Sequence, residues 1–439
     1  MSRRAFGTAL AGVFGVAVFA GCGSSSDAAS SGSTTGGDDS GGLFDTSKVH
    51  DVELTFDTDD YSEMLSKYLD GGDKEWIETA VTIDGTAYQK AGLRFKGNSS
   101  LRGVSTSSDP KDLPWLVRLD KYVDGQTHDG YNEFVIRSSN TSTALNEAVA
   151  LELLGMAGLA TQKSFSTRFT VNGGSAVLRL AIENPDDTWD AENFSSAGLL
   201  YKAEANGDYS YRGDDASSYD DVFDQEAGDD DLTPLIAFLK FINQSSDTDF
   251  GTDLKKYLDV EAFATYLAFE DMISNSDDID GPGNNSYLRY TTDSKVMTVV
   301  AWDHNLAFGG MGGGGGGGNN AGGGGMPSGG TRPSGGAMPS GAAMPSGGGQ
   351  MPQNGGGGKG GGGGPGGKSN ILVTRFKANT TFAAAYTKAG TDLKSGLYTS
   401  GKAAAVLKAR AAVLTAQASD LVSTDTITSE TSKIEAYFS

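Results

Sequence analysis

Between Glu270 and Gly309 the chain reads EDMISNSDDIDGPGNNSYLRYTTDSKVMTVVAWDHNLAFG, a stretch rich in acids and amides. An apolar-periodic helix (Phe263, Tyr266, Leu267, Met272, Ile273) runs into an acidic loop with Gly281, Pro282 and Gly283, where helix cannot continue. Asn285 follows, then two strand-like runs, Ser286 to Tyr290 and Lys295 to Trp302, with Asp303 directly after the second. A hairpin of this kind returns the strand-end acid to the loop acids. Two acids and an Asn amide gathered there could hold a hard divalent cation and leave one carboxylate free as a base.

Other chemistries fit less well. Asp277 and Asp278 read as acids that solvate the loop or join a second metal. Pro282 falls where an EF-hand needs a ligand. His304 adjoins Asp303, but the chain has three histidines (His50, His128, His304) and no His-x-His spacing, which argues against a transition metal. No Ser-His-Asp or Cys-His set stands out, and zinc, haem and Rossmann signatures are absent. Lys96-Gly97-Asn98-Ser99-Ser100 follows a strand and reads equally as a backbone cradle for phosphate or as a plain polar turn.

The elements that position these residues are legible from periodicity. Val52 to Phe56 alternates as a strand, and a helix follows near Tyr61 to Leu69. Ala80 to Ile83 and Ala87 to Phe95 form a hairpin across Asp84-Gly85. Leu116 to Lys121 and Phe134 to Arg137 read as strands, and Ser142 to Met156 as a core helix. Ser164 to Val171 and Ser175 to Glu183 pair across Asn172-Gly173-Gly174, and Leu199 to Lys202 is a short strand. Asp214 to Asp231 reads as a solvated loop. Helices are expected at Leu232 to Ile242, Leu254 to Ile273, Thr380 to Ser395 and Lys402 to Val422.

The pattern Asp280, four residues, Asn285, a Tyr-Leu strand and then Trp302-Asp303-x-Asn305 resembles the CotH family, the spore-coat-type atypical kinases. RFKGNSS ahead of a basic strand, Val171-Asn172-Gly173, Glu183 and Tyr201-Lys202 carry the same resemblance. Three features depart from it: Asn305 replaces the last acid, the tyrosine strand reads Tyr287-Leu288-Arg289-Tyr290 in place of Tyr-Leu-Tyr, and Met297 stands where an aromatic is expected near the base. The resemblance covers about 46–310 and, more weakly, 370–439.

It implies an α+β, atypical protein-kinase-like fold with a β-rich N-terminal lobe and a helical C-terminal lobe. It also implies ATP with Mg2+ or Mn2+, Asp280 as the base or orienting group, and Asn285 and Asp303 as metal ligands. A cation must meet the nucleotide phosphates with an acid to hold it, and Lys96, Lys202 and Glu183 are the candidates. Trp302 then packs beneath the site.

Composition sets the outer frame. With 439 residues and a formal charge of −22, the chain is a poor partner for nucleic acid or anionic lipid. Residues 1–22 read as a leader: Arg3-Arg4 resembles a twin-arginine motif, Gly7 to Ala20 is apolar but short for a membrane span, and Phe19-Ala20-Gly21-Cys22 resembles a lipobox. Cys22, the sole cysteine, is the expected lipid attachment point, which makes the protein an exported bacterial envelope lipoprotein with a membrane anchor. Residues 23–45 read as a Ser/Gly tether, 46–308 as the main domain, 309–367 as a disordered Gly and Met-Pro-Ser insertion, and 368–439 as the domain's closing helices.

The expected activity is transfer of the ATP γ-phosphoryl group to Ser/Thr of a secreted or surface protein. The alternative is a non-catalytic surface scaffold or adhesin that keeps the fold.

Overall fold

The computed structural model describes residues 42–204, 208–280, 285–310 and 370–439. The leader with Cys22, nearly all of the tether, Gly281 to Gly283 and almost all of the glycine-rich insertion lie outside those residues. The tether was expected to extend to residue 45, yet Leu43 and Phe44 are buried in the first core. Two apolar side chains at the tether's end are enough to anchor it.

Strands β1 (Val49–Thr55), β2 (Ile77–Ile83), β3 (Thr86–Phe95), β4 (Trp115–Arg118), β5 (Glu133–Ile136), β6 (Ser164–Val171) and β7 (Val177–Glu183) close into a barrel in the order β1-β2-β3-β4-β5-β7-β6. β1 runs parallel to β6, Val49 opposite Ser166, and this pairing closes the barrel. The tight turns are those the sequence predicts. Asp84 and Gly85 (φ 47° and 83°), like Asn172 and Gly173 (φ 48° and 69°), take the left-handed pairs that suit a two-residue hairpin.

Alternation divides the barrel's side chains between two cores. Val81, Leu93, Phe95, Trp115, Val117, Phe134 and Phe169 share one core, with Trp115 stacked on Phe95 at 4.9 Å. Helix α1 (Thr58–Gly71), capped by the Asp57 side chain, adds Tyr61, Met64 and Leu65 to it. The intervening residues Leu116, Val135, Leu180 and Ile182 form a second core on the other face of the same strands. There they meet Ala148 and Leu151 of α2 (Leu145–Met156) and Trp189 of α3 (Asp187–Asn193).

A second sheet lies against that outer face. It is built from β8 (Gly198–Ala203), β9 (Phe223–Ala227), β10 (Ser286–Thr291) and β11 (Val296–Ala301) in the order β11-β10-β8-β9. Leu200, Tyr287 and Val300 face the barrel, whereas Tyr201, Leu288 and Val299 join the helical core. That core gathers α4 (Thr233–Gln244), α5 (Asp247–Asp253), α6 (Val260–Met272), α7 (Ile371–Ala378), α8 (Thr380–Leu393), α9 (Lys402–Gln417) and α10 (Thr424–Glu435). Among the described residues no helix is long and apolar enough to cross a membrane.

The fold is therefore α+β as expected, with two corrections. The β-rich part is a closed barrel, and the C-terminal part contains a sheet as well as helices. β9 arises inside the stretch expected to be loop because Asp224 and Glu226 alternate with Phe223 and Ala227, so it reads as acidic rather than as a strand. α10 lies beyond the last expected helix, with only Ile427 and Ile434 buried.

Candidate active site

β11 ends at Ala301, and the next residues are turned sharply. Asp303 has φ 66° and ψ 67°, a left-handed conformation in which an Asp is tolerated better than most residues. The segment beyond it is fastened on two sides. Asn146 of α2 donates to the Asn305 carbonyl at 2.6 Å, and buried His304 lies 3.0 Å from buried Glu270 of α6. Asn275 donates to the other Glu270 oxygen at 2.9 Å. Burial works against a charge on His304, but Glu270 outweighs it and raises the imidazole's affinity for a proton. Asp303 thus sits on a turn fixed by two helices.

Its carboxylate pairs with the guanidinium of Arg137, which continues β5 and donates its backbone N–H to Leu180 O at 2.8 Å. Arg137 Nε donates to Glu147 Oε2 at 3.1 Å, and its Nη2 lies 3.0 Å from Oε1. Glu147 comes from the first turn of α2, and both it and Arg137 are buried. Burial penalises the guanidinium charge, and the two carboxylates outweigh that penalty and raise its pKa. Burial likewise raises the Glu147 carboxyl, against the pull of Arg137. Arg137 is thus a buried cation held by an acid next to Asp303, in a pairing that does not include Lys96, Lys202 or Glu183.

The loop before β10 supplies a third acid. Asn285 Nδ2 donates to the Asp277 carbonyl at 2.8 Å. Burial and then the nearby Asp303 charge raise the Asp277 carboxyl. Asp277 and Asp303 lie near enough for their charges to interact, and with the Asn285 amide they are oxygen donors of the kind that could hold Mg2+ or Mn2+. Among the described residues no cluster of three His, Cys, Asp or Glu side chains could hold a metal ion. Asp280 is placed differently. Its carboxylate is 2.9 Å from Lys377 of α7, and its N–H donates to Asp278.

The remaining candidates divide. Lys96 follows β3, half-buried, 5.8 Å from the centre of the Trp302 ring, and Arg137 lies 5.8 Å from the same ring. Burial pulls the Lys96 pKa down to about 8, against the attraction of Glu226 and with the repulsion of Lys202. Lys202 pairs with Glu204 two residues on. Gly97 takes φ 97°, a conformation that strains any residue with a Cβ, and Ser100 Oγ would also have to move to admit one.

Glu183 does not join this group. Along β7 it shares the parity of Ala181, which belongs to the barrel core, while Ile182 faces the second sheet. Its carboxylate accepts the Lys163 N–H at 2.6 Å, and burial raises its pKa to about 8. The next residue, Asn184, lines the cleft instead.

Sequence reasoning missed Arg137, Glu147 and the proximity of Asp277 to Asp303. One signal was available: Glu147 sits in a helix that is mostly apolar, and an acid buried there has to be paired. A groove of about 560 Å3 lies between α9 and α10, and alanines and threonines line most of it.

No curated protein matches the chain. Over residues 93–431 it matches the family described as CotH kinase protein, a span that includes Lys96, Arg137, Glu147, Asp280, Asn285 and Asp303. The chain belongs to the CotH kinase protein family.

Proposed function

We propose that the protein is an envelope-anchored, metal-dependent kinase that passes the γ-phosphoryl group of ATP to a serine or threonine hydroxyl of an exported protein. The observation that carries this reading is Arg137 held between Glu147 and Asp303, with Asn285 and Asp277 beside Asp303. Phosphoryl transfer needs fixed charge and positioning more than covalent help from the protein. Asp303, Asn285 and Asp277 would hold Mg2+ or Mn2+, which when bound neutralises charge on the phosphates.

The residues divide the remaining work. Arg137, fixed by Glu147, meets phosphate oxygens, and Lys96, 5.8 Å from the same Trp302 ring as Arg137, adds a second positive charge. The acceptor oxygen bonds to the γ-phosphorus as its bond to the β–γ bridging oxygen breaks, and ADP leaves. Asp280 takes the hydroxyl proton, the role the family resemblance implies; its ion pair with Lys377 opens to admit the acceptor. Cys22 would carry the lipid, and membrane retention lost in Cys22→Ala tests that anchor.

The direct test uses labelled ATP, a basic acceptor protein and either metal. Label that disappears on chelation supports the kinase. Absence of label, together with no stabilisation of the protein by ATP and metal, would contradict it. One observation favours a non-catalytic scaffold instead: Arg137 already neutralises Asp303. A scaffold of that kind shows no ATP-dependent rise in Tm.

A further inference from the structure

Arg137 and Glu147 pair across a loop: Arg137 follows β5, Glu147 lies in the first turn of α2, and the two are ten residues apart. Residues 138–144 between them set how the guanidinium meets the carboxylate. The chain enters α2 through Ala144, whose φ of 54° is left-handed and whose side chain caps nothing. An alanine keeps such a conformation only where its surroundings impose it.

The support comes from the far end of the chain. Glu430 of α10 accepts the Ser142 and Thr143 N–H groups, each at 3.0 Å, and the Thr143 hydroxyl at 2.5 Å. A carboxylate suits this place, because the N–H groups at the start of a helix point outwards and attract negative charge. Glu430 stands at helical spacing between Ile427 and Ile434, the two buried residues of α10, so the face that docks the helix also delivers the acid.

The contact is passed on towards the site. Thr143, 3% exposed, accepts the Leu145 N–H at 3.2 Å. Thr141 Oγ1 accepts the Ala144 N–H at 3.1 Å and donates to Asn146 Oδ1 at 3.0 Å. Buried Asn146 in turn holds the Asn305 carbonyl, two residues past Asp303. Glu430 thus braces the loop that joins Arg137 to Glu147 and, through Thr141 and Asn146, the turn that carries Asp303.

We infer that Glu430 is a positioning residue for phosphoryl transfer: it fixes residues 138–144 and thereby holds Arg137 and Glu147 in place against Asp303. The inference rests on the kinase reading above. It makes the rate depend on the docking of the last helix, which acts on the site from outside it.

Transfer of label from ATP by the whole chain tests it, with kcat, KM and Tm measured for each variant. At a temperature where circular dichroism shows it folded, Glu430→Ala should lower kcat about tenfold or more. Glu430→Gln, which keeps one oxygen acceptor, should fall between it and the parent. Asp425→Ala, which removes an exposed acid from the same helix, should match the parent. Acetate can refill the vacated N–H groups, so it should raise the Glu430→Ala rate severalfold where equal chloride does not. A residue that only lends stability would lower Tm, leave kcat unchanged below it and show no acetate effect on the rate. That result would overturn the inference and leave the kinase reading standing, as would a loss of kcat that neither glutamine nor acetate relieves. If Glu430→Ala does not fold, Glu430→Gln decides: a folded protein with the parent's kcat overturns the inference, and a severalfold lower kcat supports it. If the parent transfers no label, the kinase reading falls and this inference falls with it.

Discussion

Two buried glutamates show what separates a structural acid from a site acid. Glu147 and Glu183 are 2% and 4% exposed, and burial raises the carboxyl pKa of both. Glu183 meets a backbone N–H at a strand end, on the side away from the second sheet. Glu147 meets a guanidinium that also touches Asp303, on the face shared by barrel and sheet. Burial and a shifted pKa are common to both. What differs is where the counter-charge leads: Arg137 joins Glu147 to Asp303, whereas Lys163, whose charge acts on Glu183, pairs with Glu192 of α3.

The largest expected effect comes from breaking the Glu147 side. Glu147→Ala leaves Arg137 buried with half its compensation, at a cost of about 3–5 kcal/mol in stability, read as a lowered Tm. The milder Glu147→Gln should keep the fold and still lower phosphoryl transfer about a hundredfold or more, because Arg137 loses its orientation. Rates that stay within a factor of a few would place Glu147 with Glu183 as merely structural.

Glu183→Gln sharpens the other side. In the folded protein Glu183 keeps its proton up to about pH 8, from an ordinary value of 4.5, so the native state binds more protons than the unfolded chain between those values. Its contribution to stability is full below about pH 4.5 and is lost as pH rises towards 8. The variant should flatten that slope in a denaturation series while transfer at neutral pH is unchanged. A collapse of transfer with the fold intact would move Glu183 into the site.

Lys377→Ala carries the smallest effect. Its pair with Asp280 is partly exposed, with side chains 37% and 31% accessible, and such pairs contribute about 0.2–1 kcal/mol. The variant should unfold almost as the parent does and transfer at least as fast, since Asp280 is freed. A large loss of rate would mean that Lys377 itself serves the reaction.

Much of this was legible in the sequence. The Asp84-Gly85 and Asn172-Gly173 hairpins, the strand running into Trp302-Asp303 and the helix from Thr380 all carry strong local signals, and the structure has each of them. Closure of the barrel was not legible, because the parallel pairing of β1 with β6 joins segments more than a hundred residues apart without a periodic mark. Arg137 at a strand end reads like any solvated cation until α2 brings Glu147 beside it. Asp277 and Asp280 sit in one acidic loop, and only the fold directs one towards Asp303 and the other towards Lys377. Which face of β7 Glu183 takes was not legible either: it shares the barrel-core parity of Ala181, and Asn184 after it lines a cavity with Glu133 and Glu226.

The measurement that bears most directly on the junction of Arg137, Glu147 and Asp303 is transfer of label from ATP by Asp303→Ala beside the unaltered protein, with circular dichroism confirming that both are folded. The account predicts label with the parent and at least a hundredfold less with the variant. Equal rates from a folded Asp303→Ala would contradict it.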